Sequence, residues 1–178
     1  TIDIPGYGRS PKATDGLTMD DMAQACWEAI DDAFPDAGPA VLVGCSVGSR
    51  LVPFMYHQRL AQTAGLVVCG TGYNPSNAFA DKRIDQYTQM GIEFRWDYTF
   101  QDLSPLFRTT PLAHYFANLF AERNGTCDVD TIIRQFYALK EPHPEGYYDI
   151  KAPMIILTGS EDGGHPNSFA LRDKVGCE

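Results

Sequence analysis

The sequence predicts an α/β fold whose sheet is mainly parallel, flanked by helices and interrupted by a helical insertion. Three observations predict it. Short unbroken apolar runs at Ala40–Val43, Gly65–Cys69 and Met154–Leu157 have the length of strands. Between the first two lies a stretch of helical spacing, and strand–helix–strand order favours parallel pairing. The pentapeptide Gly44-Cys45-Ser46-Val47-Gly48 joins the first run to that helix through a turn too tight for larger neighbours.

Taken in order, Thr1–Ile4 reads as a strand end running into the turn Pro5-Gly6-Tyr7-Gly8-Arg9-Ser10, where glycines permit backbone shapes that other residues resist. Thr18 with Asp21 three residues on resembles an N-terminal cap. Met22, Ala25, Cys26, Ala29, Ile30 and Ala33 then recur at helical spacing, predicting about four turns that stop before Pro35. Ala40–Val43, bounded by Gly38-Pro39 and Gly44, reads as a strand buried on both faces, and Leu51–Leu60 as a helix. Gly65–Cys69 and Met154–Leu157 repeat the buried-strand pattern.

Between Tyr73 and Tyr148 the character changes. Prolines 75, 105, 111, 142 and 144 interrupt the helical spacing, and 15 of the chain's 21 aromatic residues fall in these 76 of 178 positions. A helical cap over 73–148, inserted between sheet segments 1–72 and 149–178, is the simplest account. Phe94, Trp96, Tyr98, Phe100, Phe107, Tyr115, Phe116 and Phe120 could line a lid over an apolar substrate. A small helical subdomain also needs such residues for its own core.

Composition narrows the function. The formal net charge is -9, from 23 acidic against 14 basic residues. That balance repels phosphate backbones, and no basic run reverses it, so a nucleic-acid partner is not expected. No apolar run reaches the roughly 18 residues of a membrane helix, and no membrane partner is expected. Cys26, Cys45, Cys69, Cys127 and Cys177 are odd in number and form no C-x-x-C pair, which suggests neither a disulfide framework nor zinc and fits a reducing, cytoplasmic setting. Asn124-Gly125-Thr126 matches a glycosylation acceptor, but an Asn-Gly turn between two helices explains it without a secretory context. Scattered histidines, and Asp20-Asp21 and Asp31-Asp32 on a helix, make no metal constellation, and no cofactor is implied.

The sharpest chemical signal is the G-x-S-x-G at 44–48. By chance such a pattern is expected roughly 0.06 times in a chain of this composition, before a flanking strand and helix are required. The competing reading is a glycine-rich nucleotide turn, yet neither G-x-G-x-x-G nor G-x-x-x-x-G-K-[ST] occurs here. A nucleophile elbow needs a strained serine with small neighbours, so that Ser46 Oγ stands exposed at a helix start and the Val47 backbone N–H faces a developing oxyanion. With this motif the chain resembles the α/β-hydrolase superfamily, and two further stretches agree. Asp3-Ile4-Pro5-Gly6-Tyr7-Gly8-Arg9-Ser10 is similar to that family's D-x-P-G-x-G-x-S loop, and Pro153 to Asp162 to its late strand ending in G-x-x-D.

The resemblance implies a partial α/β-hydrolase fold with Ser46 as nucleophile and Asp162 as triad acid, holding a histidine in the right tautomer. Glu161 is the competing acid, and a solvated turn carboxylate is the bland alternative. The family's histidine follows the acid after one more strand and helix. In this chain only His165 follows, three residues on, so the catalytic histidine is expected to lie outside it. His57, eleven residues past Ser46, would sit about 16 Å along a helix, out of reach. His114, His143 and His165 remain as substitutes. The second oxyanion donor of the family precedes Thr1. The chain therefore reads as an internal fragment, inactive and poorly soluble by itself.

For the whole protein the resemblance implies a serine hydrolase acting on an ester, lactone, thioester or related carbonyl compound through an acyl-enzyme, and the aromatic residues of 73–148 add the expectation of a small apolar substrate. Esterases, enol-lactonases and carbon–carbon bond hydrolases are not separated by any motif here. Serine at position 46 argues against relatives that use aspartate there. An aminopeptidase would call for a cap carboxylate such as Asp97 or Glu122. Acyl transfer or cofactor-free peroxidation would use the same triad. From another class, a non-catalytic small-molecule receptor or interaction protein on the same fold is the alternative.

Overall fold

The computed structural model describes residues 1–70 and 77–176. Along the chain run α1 (Met19–Ala33), β1 (Ala40–Cys45), α2 (Val47–Gln58), β2 (Thr63–Cys69), α3 (Ala78–Met90), α4 (Arg95–Asp102), α5 (Pro105–Arg108), α6 (Pro111–Glu122), α7 (Val129–Ala138), β3 (Met154–Leu157) and α8 (His165–Val175). Contacts divide them into two compact units: Asp3–Leu17 with Ser76–Glu141, and Thr18–Pro75 with Pro142–Glu178. The expected boundary between 72 and 73 lies outside the described residues.

In the second unit β1, β2 and β3 pair parallel in that order, with Val43 opposite Val67 and Val67 opposite Ile155. α1 begins where Thr18 and Asp21 close a reciprocal capping box: Asp21 N–H donates to Thr18 Oγ1 at 3.1 Å and Thr18 N–H to Asp21 Oδ2 at 2.9 Å. The Thr18 hydroxyl also donates to Asp21 Oδ2 at 2.6 Å, and this bond, then the one from the Thr18 N–H, holds the Asp21 carboxyl below its ordinary range. α1 packs on α2 through Trp27, only 2% exposed, whose indole N–H donates to the Met55 carbonyl at 3.0 Å. Arg59 lies 4.9 Å from the Trp27 ring centroid and grips Asp31 with two bonds of 2.7 and 2.8 Å.

α2 covers one face of the sheet. Leu42, Leu66 and Val68 are buried beneath it, with Gly44 between them packed against Gly48 and Val52. The other face departs from the expectation of strands buried on both sides. Val41, Val43, Ile155 and Leu157 are exposed, Val43 by 70%. An apolar run measures what a strand can bury and carries no record of which layers cover it. The helix expected at Leu51–Leu60 begins four residues earlier, at the turn itself, and carries Pro53 inside it.

The first unit is helical with an aromatic core. Ala80, Ile84, Tyr87, Phe94, Ile132 and Phe136 form its buried cluster, and the Tyr87 and Phe94 rings meet edge to face at 4.7 Å. Phe94 and Tyr98 thus serve the subdomain's own interior, whereas Tyr115, Phe116 and Phe120 are exposed. Burial raises the Tyr98 hydroxyl to about 12. Arg123–Thr126 forms a short 3-10 turn between α6 and α7, as the Asn-Gly reading expected.

Residues 3–17 belong to this unit and make no strand: Thr1–Ile4, expected as a strand end, have no ladder partner among the described residues. The loop is tied to α7 instead. Asp128 N–H donates to the Gly6 carbonyl at 2.9 Å, Gln135 to the Pro5 carbonyl at 2.6 Å, and Lys12 pairs with Asp128 at 2.7 Å. Lys12, together with bonds from Thr131, pulls the Asp128 carboxyl down to about 2.

Candidate active site

Ser46 occupies the single-residue corner between β1 and α2. Its φ of 55° and ψ of -117° make it the one non-glycine residue with positive φ among the described residues. An L-residue there costs on the order of 1–3 kcal/mol and persists only where surrounding structure enforces it. Three features enforce it. Ser46 N–H donates to the Cys69 carbonyl at 3.0 Å, which fastens the corner to β2. The Ser46 carbonyl accepts from Ser49 N–H at 3.0 Å and from the Ser49 hydroxyl, which starts α2 at once. Gly44 has no room for a side chain, since a Cβ would overlap the Gly48 carbonyl and press on Val52. The expected crowding at Gly48 is not found: a Cβ there meets nothing within 4 Å among the described residues.

The corner leaves Ser46 exposed. Val47 is the first residue of α2, so its N–H is one of the helix-start donors without an intrahelical acceptor, at the positive end of the helix dipole.

Asp162 lies beyond the same C-terminal edge of the sheet, in the loop from β3 to α8. Its backbone N–H donates to Gly159 at 3.1 Å, and its carboxylate accepts from Gly164 N–H at 2.7 Å. The other carboxylate oxygen lies 3.8 Å from the position of a Cβ on Gly70, just past β2. It also acts electrostatically on Cys45, the residue before Ser46. Parallel pairing explains the arrangement, because it brings the C-terminal ends of β1, β2 and β3 to one edge. Glu161, the competing acid, is exposed, as is Asp162.

The histidines stand apart from these groups. His57 Nε2–H donates to the Tyr147 carbonyl at 3.1 Å. His143 stacks on Tyr147 at 4.0 Å and shares a 2.9 Å hydrogen bond with the Tyr148 hydroxyl; burial, then Arg50, lowers its pKa. His114 packs against Phe100. His165 opens α8, gives its backbone N–H to the Asp162 carbonyl at 2.9 Å and rests its ring on Phe169. Among the described residues no histidine ring hydrogen-bonds to Ser46 or to the Asp162 carboxylate. No three metal-ligating side chains cluster there, and no described helix is long and apolar enough to cross a membrane.

Comparison with known families bears on this geometry. The family described as alpha/beta hydrolase fold matches residues 1–165. The chain belongs to the α/β-hydrolase fold family. Solved structures agree on the fold: a hydrolase from Pseudomonas aeruginosa PA01 is similar at TM-score 0.78 with 16% identity, covering 97% of this chain and 66% of that one. An esterase from Exiguobacterium antarcticum follows at 0.75 and 17%, covering 97% and 68%. A bromoperoxidase from Bacillus anthracis reaches 0.80 at 13%, with coverage of 97% and 68%. This chain thus spans about two thirds of the length of those α/β-hydrolase structures. No curated protein matches it at the level of sequence.

Within this α/β-hydrolase sheet, sequence reasoning missed the Cys45–Cys69 neighbourhood of the corner. The signal was available, since Cys69 ends its apolar run, Cys45 lies two residues past the end of the first, and parallel pairing sets such ends side by side.

Proposed function

We propose that the whole protein is a serine hydrolase that cleaves an ester, lactone, thioester or related carbonyl compound through an acyl-enzyme on Ser46. The observation that carries this reading is the strained, exposed serine at a strand–helix corner, on the sheet edge that also holds Asp162. Strain of this kind is retained where it places a reacting atom.

In the proposed reaction Ser46 Oγ attacks the carbonyl carbon and loses its proton to a histidine oriented by Asp162. The Val47 N–H donates to the oxyanion as charge develops on it. The histidine then protonates the leaving group, and water releases the acyl chain by the reverse sequence. Because no described histidine ring meets Asp162, the base in this proposal comes from elsewhere in the whole protein, as does a second oxyanion donor. The substrate in this proposal is small and apolar, and the free thiols of Cys26, Cys45, Cys69 and Cys127 suit a reducing compartment such as the cytoplasm.

The missing Asp162–histidine contact favours one other reading, a small-molecule receptor on the same fold. A fluorophosphonate separates them, since only an activated serine reacts quickly. Mass spectrometry of the treated whole protein should place the adduct on Ser46, and Ser46→Ala should abolish it. A folded whole protein that takes no label would overturn the hydrolase reading in favour of the receptor.

A further inference from the structure

Cys45 and Cys69 are the last residues of β1 and β2, and they are paired opposite one another in the parallel register. Paired residues on neighbouring strands project from the same face. Here it is the face that α2 leaves uncovered, with Val43 and Ile155 beside them. Both thiols are free, Cys45 exposed and Cys69 partly so. Neighbouring strands run about 4.8 Å apart. That lies within the roughly 4.4–6.8 Å between Cα atoms that a disulfide spans. Burial, then Cys69, then Asp162 push the Cys45 thiol up. Cys26 is buried in α1, and Cys127 belongs to the other unit, where Arg95 donates to its sulfur at 3.0 Å.

We propose that Cys45 and Cys69 form a dithiol modification site that closes to an intramolecular disulfide on meeting a low-molecular-weight disulfide. The Cys45 thiolate attacks one sulfur of the oxidant, whose S–S bond breaks and releases one thiol. The Cys69 thiolate then attacks Cys45 Sγ, forming the Cys45–Cys69 bond and expelling the second thiol. The two protons lost by the cysteines end on the two released thiols, and the two electrons reduce the oxidant. The bond would form one residue before Ser46 and at the residue whose carbonyl holds the Ser46 N–H. The site requires no catalytic role for Ser46.

The test is oxidation of the folded full chain with oxidised glutathione, followed by alkylation of remaining thiols and peptide mapping without reduction. The expected product is a linked pair of peptides carrying Cys45 and Cys69, lighter by about 2 Da than the two free thiols and separated by dithiothreitol. Cys69→Ser should instead retain glutathione on Cys45. If that variant does not fold, wild type in concentrated guanidinium replaces it, and the same link should form at least about tenfold more slowly there, because only the sheet holds the thiols together. Glutathione held on Cys45 of the folded wild type, a link involving any other cysteine, both thiols unreacted, or equal rates folded and unfolded would each overturn the proposal.

Discussion

Two tight turns in this chain meet the same backbone demand differently. In the loop Pro5–Ser10 the positive φ angles fall on Gly6 and Gly8, at 84° and 55°. At the corner after β1 the positive φ, again 55°, falls on Ser46, while the adjacent glycines have ordinary angles. Glycine takes such a conformation at little cost, so the loop is strained nowhere and serves to dock residues 3–17 on α7. The corner places its strain on the one residue with a nucleophilic side chain, and spends glycine at position 44 to let helix and strand approach. A turn built only for chain reversal would put glycine at 46.

The contrast can be broken at its supports. The largest effect is expected for Gly44→Ala, whose Cβ would collide first with the Gly48 backbone, which cannot yield, and also with the Val52 side chain. A loss of about 3 kcal/mol or more in urea denaturation is expected, the high end for point substitutions. Gly48→Ala, facing open space, should stay within about 0.5 kcal/mol of wild type. Equal losses at 44 and 48 would remove the close-approach explanation of the corner. In the loop, Gly6→Ala should cost about 2 kcal/mol, from the positive φ and from overlap with the Thr131 side chain. A second substitution, Thr131→Ser, takes away the methyl that is struck and should restore part of that loss, leaving the φ penalty and the overlap with the Cβ of residue 131.

Much of this was legible in the sequence. Strand positions followed from apolar runs bounded by glycine and proline, and Met154–Leu157 was located to the residue. The start of α1 was legible because Thr18 and Asp21 carry their capping bonds in their own side chains. The corner was legible because its steric demand admits few residues around Ser46. Three things were not. The early start of α2 was hidden because residues 47–50 have no apolar periodicity and are helical by virtue of the turn before them. Exposure of Val41 and Val43 depends on which layers are present, a property no strand encodes. The docking of the Pro5–Ser10 loop on α7 rests on backbone carbonyls of Pro5 and Gly6, which carry no side-chain signal.

The central claim is that the chain accepts strain at residue 46 for the sake of the serine side chain. Ser46→Gly in the whole protein tests it most directly, by urea denaturation and fluorophosphonate labelling of the same sample. Glycine relieves the positive φ and should raise stability by about 1 kcal/mol. Labelling at this position should vanish. A variant that is less stable than wild type, or that still takes the label at the wild-type rate, would contradict the account.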